Sequence, residues 1–455
     1  LSGIVDYIKK EYVIEEDIKS KAKKVSNLLI KSFFTTLNAP LKTFEQKLKN
    51  DEEVLQNQIN SFEENDKNRA QLSIDIHKNA DVEVGSFLSS GVDSSYVATV
   101  LRPNKTYSIG FGDKTFNESV EAKALTDMIG LKNESRVIEG EESFMNFPLI
   151  QYHLDEPDSN PSCVPLFFLS ELASRDVRVV MSGEGADELF GGYQTYGFYT
   201  KSKLIRQTTA LLKKLPKKAR YSLASFIKDK EFPGSLHMYS NLAPAEESFI
   251  GNAKVFEEKE ALEYLTSEYS KSPSVSDIVN KQYKKVRGLS ELKKKKYLDF
   301  HQWMPKDILL KADKLSMAHS LELRVPLLDI ELMKVSEQVP EKYMINSKNT
   351  KYAFRQAAGR HLPEEWSNRE KLGFPVPIKD WLREERYYQH VRELFSKEWV
   401  KEFFNQDKII QLLDENFEEK VDERRKIWTI FTFLTWYNVY FIHDGQKPEV
   451  IELTA

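Results

Sequence analysis

Residues Val84-Gly85-Ser86-Phe87-Leu88-Ser89-Ser90-Gly91-Val92-Asp93-Ser94-Ser95 pass from an apolar run into a small-residue loop and then into the start of a helical pattern. This order restricts the fold more than any other stretch. A short apolar run that gives way to Gly and Ser reads as a buried strand whose carboxyl end opens into a loop, with a helix following. Unpaired N–H groups and the dipole at that helix start favour an anion, and small side chains let a phosphate approach the main chain. Ser89, Ser90, Ser94 and Ser95 add hydroxyl donors. Asp93 repels bare phosphate but suits the Mg2+ that accompanies ATP. The Gly-Lys-Ser/Thr ending of a Walker loop is absent, and a plain helix cap is the competing reading.

A second stretch repeats the arrangement. Arg178-Val179-Val180-Met181 reads as another buried strand and runs into Ser182-Gly183-Glu184-Gly185-Ala186-Asp187-Glu188-Leu189-Phe190-Gly191-Gly192-Tyr193, an acidic cluster bracketed by glycines. In open α/β sheets the carboxyl edge of the strands is where ligands bind. Between the two motifs, strands at 82–88, 106–111, 135–138 and 177–181 alternate with helices at 96–101, 117–129, 143–153 and 165–174. This βαβ rhythm predicts an α/β fold with a parallel sheet covered on both faces. Beyond Tyr193 helical periodicity prevails. Three regions are expected: a helical, surface-rich segment over 1–70, an ATP-binding α/β core over 71–195 and a helical lobe over 196–455.

The first loop resembles the S-G-G-V-D-S-S loop of PP-loop ATP pyrophosphatases, with Ser90 at the first glycine. The chain as a whole resembles the synthetase half of class II, AMP-forming, glutamine-dependent asparagine synthetases. Asp155-Glu156-Pro157-Asp158-Ser159-Asn160-Pro161-Ser162 is similar to the D-E-P-x-x-D-P-S loop, with Asn160 replacing an acid. Lys311-Ala312-Asp313-Lys314-Leu315-Ser316-Met317-Ala318, followed by Glu322-Leu323-Arg324-Val325-Pro326-Leu327-Leu328-Asp329, resembles the D-[RK]-x-S-M-A and E-x-R-x-P-[FL]-L-D signature. Lys351-Tyr352-Ala353-Phe354-Arg355 resembles K-x-x-[LF]-R, and Lys371-Leu372-Gly373-Phe374 with Pro377 and Trp381 resembles K-x-G-F-x-x-P-x-x-x-W.

The resemblance implies a PP-loop sheet with a large helical lobe, ATP and Mg2+ as cofactors, and aspartate and ammonia as substrates. Adenylation of a carboxylate provides a leaving group that ammonia can displace, so the site must stabilise charge at the α-phosphoryl group and on departing pyrophosphate. Asp93 and Asp187 are the expected metal ligands. Leu88, Ser89, Ser90, Gly91, Ser94, Ser95, Ile109, Ser182 and Gly183 are expected around the nucleotide, with the adenine near Ile109 and Gly110. Lys351 and Lys314 are assigned by resemblance to the α-phosphorus and pyrophosphate. Glu184 is expected to handle the protons of the attacking amine, with a helix-capping role as its structural alternative.

The first seventy residues depart from that family. Family members open with a nucleophilic cysteine on a complete glutaminase domain, whereas Ser2 stands before Gly3-Ile4-Val5 and the segment is short. A hydroxyl without an activating base is a far poorer nucleophile than a thiol. Glutamine hydrolysis is therefore not expected, and a separate glutaminase and a homodimer remain open as partners. β-Lactam synthetases and lasso-peptide cyclases, which adenylate a carboxylate for an internal amine, fit the same absence, as does a non-catalytic binding paralogue.

A single cysteine, Cys163, excludes a disulfide framework and suits a reducing, cytoplasmic setting. A net charge of −4 gives no pull toward nucleic acid, and no run reaches the length of a membrane span. The segment 427–442 reads as a buried core helix, and Lys293-Lys294-Lys295-Lys296 as a solvated helix face.

Overall fold

The computed structural model describes residues 69–450 except 113–116, 198–201, 229, 231, 347–348 and 370–375. Ser2, the helical reading of the first 68 residues and Lys371 to Phe374 lie outside these. Asp66–Ala455 form one compact unit.

Five parallel strands make the sheet: β1 (Val84–Phe87), β2 (Lys105–Phe111), β3 (Lys132–Ile138), β4 (Val179–Met181) and β5 (Glu322–Arg324). Their order is β3-β2-β1-β4-β5. The chain leaves β1 toward β2 and β3, then crosses to β4 on the other side. The crevice between β1 and β4 is therefore the topological switch point, where doubly wound sheets hold their ligands. Both motifs singled out in the sequence follow those two strands.

β1 and β4 are buried at every position, as apolar parallel strands require. β3 begins at Lys132, three residues before its expected start, and pairs with β2 from Lys105↔Lys132 to Phe111↔Ile138. An edge strand tolerates the polar residues Lys132, Asn133 and Glu134, and Glu134 also holds Lys105 at 2.8 Å. β5 has no sequence signal. Its three residues pair with β4, and the Arg324 guanidinium donates to the carbonyls of His77 (2.6 Å) and Asn79 (2.8 Å), tying the helix at 69–77 to the sheet edge.

Helices α1 (Val92–Leu101), α2 (Ser119–Ile129), α3 (Gly140–Leu154), α4 (Cys163–Ser174) and α5 (Ala186–Phe190) belong to the α/β part. In the remainder, the helices that matter below are α6 (Lys203–Leu212), α7 (Lys217–Ile227), α8 (Ser235–Leu242), α9 (Glu291–His301), α10 (Leu309–Met317), α11 (Tyr352–Ala358), α12 (Glu385–Phe395) and α13 (Arg424–Tyr437). The C-terminal helices return to the sheet layer. Phe144 of α3 stacks on Tyr387 at 4.6 Å, and Phe147 meets Trp428 at 4.7 Å and Phe431 at 5.1 Å. The core helix expected over 427–442 is α13 followed by a π-helical turn, Asn438–Ile442. Burial stops short of its end, because Phe441 and Ile442 are exposed.

The expectation for Lys293 to Lys296 is corrected. Lys294, Lys295 and Lys296 are buried on α9. The helix is enclosed by other elements, so the stems pack inside and each ammonium finds acceptors: Lys294 at Glu246 (2.8 Å), Lys295 at the Tyr196 carbonyl (3.2 Å) and Lys296 at the Leu189 carbonyl (2.5 Å).

Candidate functional site

The loop after β1 is closed by its own serines. Ser89 N–H donates to Ser94 Oγ (3.0 Å), Gly91 N–H donates to Ser89 Oγ (3.1 Å), and the two hydroxyls are 2.8 Å apart. The loop after β4 lies against it. A Cβ on Gly183 would stand 2.5 Å from the Ser94 nitrogen and 2.8 Å from the Asp93 carbonyl carbon, so only glycine permits this approach. Gly185 adopts φ 96 and turns the chain into α5.

From these two loops Asp93 and Asp187 converge on one cation. Lys351 Nζ lies 2.5 Å from Asp93 Oδ2 and 2.9 Å from Asp187 Oδ1. The lysine is 1% exposed, and burial alone would depress its pKa; Asp187 and Asp93 outweigh that and hold it above the usual lysine range. Its backbone is left-handed, φ 52, at the start of α11. Arg355 secures the preceding turn, donating to the carbonyls of Thr350 (3.0 Å), Ser367 (2.9 Å) and Arg369 (2.8 Å). The arginine of the K-x-x-F-R pattern thus positions the lysine.

A cavity of 340 Å³ opens beside this cluster, lined among others by Leu88, Ser89, Gly91, Asp93, Ser94, Ile109, Ser182, Gly183, Glu184 and Asp187. The structure brings these expected residues together. Ser90 and Ser95 do not line it. Ser90 donates to Glu118 Oε1 (3.0 Å), and Ser95 is fully buried in α1. Lys314 stands apart as well, paired with Asp155, which also accepts from the Tyr440 hydroxyl at 3.0 Å.

Glu184 reaches the cavity and is bonded to the Ser182 hydroxyl. Burial raises its pKa, with Lys311 acting against that. Lys311, one helical turn before Lys314, is the cation of α10 that lines the cavity. It pairs with Asp307 at 2.6 Å, and a π-helical turn over Met304–Ile308 places that acid. Asn160 N–H2 donates to the same Asp307 oxygen at 2.8 Å, while its backbone N–H donates to Asp158 at 2.8 Å. An acid at 160 would face two carboxylates, and burial, with Asp307 adding to it, already pushes Asp158 up to about 7. The amide fits this chain's surroundings better.

Sequence reasoning missed Lys311 with its partner Asp307, and also Trp303 and Glu118, which line the same cavity. The K-A-D-K spacing on a helix was the available signal for Lys311, since residues one turn apart share a face only approximately. Burial pushes the Glu118 carboxyl up to about 7, with the Ser90 hydroxyl pulling it down.

Asp93 and Asp187 fit a divalent cation, because both offer oxygen to a single cation-sized point. Among the described residues no three acidic, His or Cys side chains group as a metal cluster. Two protein carboxylates, with water and phosphate oxygens completing the shell, is how Mg2+ is usually held at phosphate sites. Among the described residues, no helix is long and apolar enough to cross a membrane.

The asparagine synthase family profile matches residues 69–438. Asparagine synthetase [glutamine-hydrolyzing] 1 of Bacillus subtilis (strain 168) is 37% identical over 381 residues, which cover 83% of this chain and 59% of that protein. A relative from Mycobacterium bovis (strain ATCC BAA-935 / AF2122/97), provisionally given the same type of name, is 34% identical over 388 residues, 84% of this chain and 58% of its own length. The chain spans somewhat over half the length of these relatives. The match runs through both sheet-edge loops and Lys351, and the chain belongs to the asparagine synthase family.

Proposed function

We propose that this chain is an AMP-forming amide ligase that converts aspartate to asparagine with ATP and ammonia. The observation that carries the reading is the meeting of Asp93 and Asp187 on the buried Lys351, beside a cavity that the two acids line together with Glu184.

In this reading ATP lies in the β1/β4 crevice, with its adenine against Leu88, Ile109 and Gly183. The Ser89 to Ser94 loop faces the β- and γ-phosphates with N–H and hydroxyl donors. Mg2+, held by Asp93 and Asp187, would neutralise phosphate charge. Lys351 leaves its acids for the phosphates and stabilises the crowded α-phosphorus. An oxygen of the substrate's side-chain carboxylate forms a bond to the α-phosphorus while the bond to the bridging oxygen breaks, releasing pyrophosphate. Ammonia then attacks the acyl carbon, AMP departs with the acyl oxygen, and Glu184 accepts the proton that the new amide sheds. Burial raises the Glu184 carboxyl above the usual carboxylate range, which favours its holding a proton. In this reading Lys311, which lines the cavity, meets the substrate's carboxylate side, and Lys314, paired to Asp155, steadies the D-E-P loop.

The test is product identity. Incubated with ATP, Mg2+, aspartate and ammonium, the purified chain should release AMP and pyrophosphate, read by 31P NMR. ADP and phosphate would overturn the assignment, and pyrophosphate release only with an amino-substituted acid would favour intramolecular amide closure.

A further inference from the structure

A second cavity, of 640 Å³, lies in the helical lobe among α6, α7, α8 and α9. Five cations line it: Lys213, Lys217, Arg220, Lys295 and Lys342. Among the described residues two carboxylates, Glu291 and Glu341, do so, which leaves a surplus of three positive charges there (five minus two). The whole chain is net −4, so this surplus is local.

The two acids are already engaged. Glu291 accepts from the Tyr221 hydroxyl (2.9 Å) and the Ala245 N–H (2.7 Å), and pairs with Lys294 at 3.6 Å and Arg220 at 4.0 Å. Glu341 accepts from the Ser290 hydroxyl. Lys213 donates to the Asn241 side chain at 2.6 Å. Lys295, 1% exposed, has its ammonium near the carbonyls of Tyr196 and Ser240, both 3.2 Å away, and Ser240 Oγ at 3.1 Å. Among the described residues no carboxylate pairs with Lys217 or Lys342; Lys342 lies over the Tyr343 ring at 5.0 Å. Burial, with Lys213 adding to it, brings Lys295 down to about 8.

A cluster of like charges around a concave space is stabilised by an anion that enters it. The rim lysines are point charges with several donors each, and Arg220 offers a planar fork, a combination that matches tetrahedral phosphate. Tyr196, Leu292 and Ile345 give the cavity an apolar wall for an organic body.

We propose that this cavity is a binding site for a small phosphorylated anion, with phosphate oxygens among Lys213, Lys217, Arg220 and Lys342 above the buried Lys295. The site adjoins the sheet-edge cavity, since Tyr193 lines both; its hydroxyl donates to Glu188 at 2.6 Å and accepts from Trp303 Nε1 at 3.0 Å. The proposal concerns binding alone and stands whether or not the adenylation reading holds.

The experiment is calorimetric titration of the whole chain with inorganic phosphate, glucose 6-phosphate and fructose 1,6-bisphosphate, with succinate as a dianion lacking phosphate. One saturable equivalent is expected with at least one phosphate probe. Binding should weaken by about tenfold or more in K217A/K342A and stay unchanged in K123A/K334A, which removes two exposed lysines elsewhere. K217R/K342R, which keeps the charge, should restore most of it. Preference for inorganic phosphate or for an ester identifies the source of the ligand. Absence of saturable binding at millimolar concentration, equal affinity in K217A/K342A, or equally tight succinate would overturn the proposal.

Discussion

The crevice at the sheet edge and the cavity of the helical lobe each surround a fully buried lysine, and they balance its charge by opposite means. Lys351 faces two carboxylates. Lys295 faces carbonyls and a hydroxyl. An ion pair in a low-dielectric site is strong only while both partners stay, and a ligand that brings its own charges can take it apart. An ammonium held by main-chain dipoles has no such exchange open to it and acts as fixed scaffolding. The first arrangement suits a reacting centre and the second a permanent field.

That contrast breaks most readily at the lysines themselves. Lys351→Met should lower pyrophosphate release by about a thousandfold or more and cost about 3–5 kcal/mol in denaturant unfolding, because two acids lose their shared cation. Lys295→Met should cost about 1–3 kcal/mol, the penalty of unsatisfied acceptors, and change turnover by less than about tenfold. Equal loss of turnover in both variants would erase the distinction.

The acids sharpen it further. Asp93→Asn or Asp187→Asn should reduce turnover by about a hundredfold at physiological Mg2+ while leaving the circular dichroism spectrum intact. Asp127→Asn, whose side chain is exposed and pairs with Lys123 at 3.0 Å, should match the wild type. Wild-type rates in either sheet-edge variant would move the metal elsewhere.

The last test concerns pH. Glu118 is raised by burial from an ordinary 4.5 to about 7, so the fold favours its neutral form. Its contribution to stability is full below about pH 4.5 and is lost as pH rises through 7, a span worth roughly 3 kcal/mol. Glu118→Gln should flatten that part of the stability profile and unfold at higher denaturant than wild type above pH 7. An unchanged slope would show that Glu118 is charged in the fold.

The two loops were legible because each follows a short uncharged run that folds as a buried strand and then breaks abruptly into Gly, Ser and acids. β5 was not, since Glu322-Leu323-Arg324 offers one apolar residue between two charged ones and depends on β4 for its conformation. The buried lysines of α9 were misread for a related reason. The carbonyls that accept from Lys295 and Lys296 come from Tyr196 and Leu189, 99 and 107 positions away, and no local pattern announces them. Lys311 and Lys314 sit one turn apart on a helix that follows a π-helical turn, and of the two it is Lys311 that lines the cavity.

The late arrival of β5 in the chain has a consequence for synthesis. When a ribosome has released residues only as far as α5, both sheet-edge acids are present, yet β4 has a bare edge and Lys351 has not been made. A chain stalled before residue 322 carries two neighbouring carboxylates without their cation and an unpaired strand open to other chains. The aromatic cover that Tyr387, Trp428 and Phe431 place over α3 comes later still. Assembly of the reacting centre is therefore a closing event, and truncated products of this gene should be retained by chaperones instead of accumulating as folded fragments.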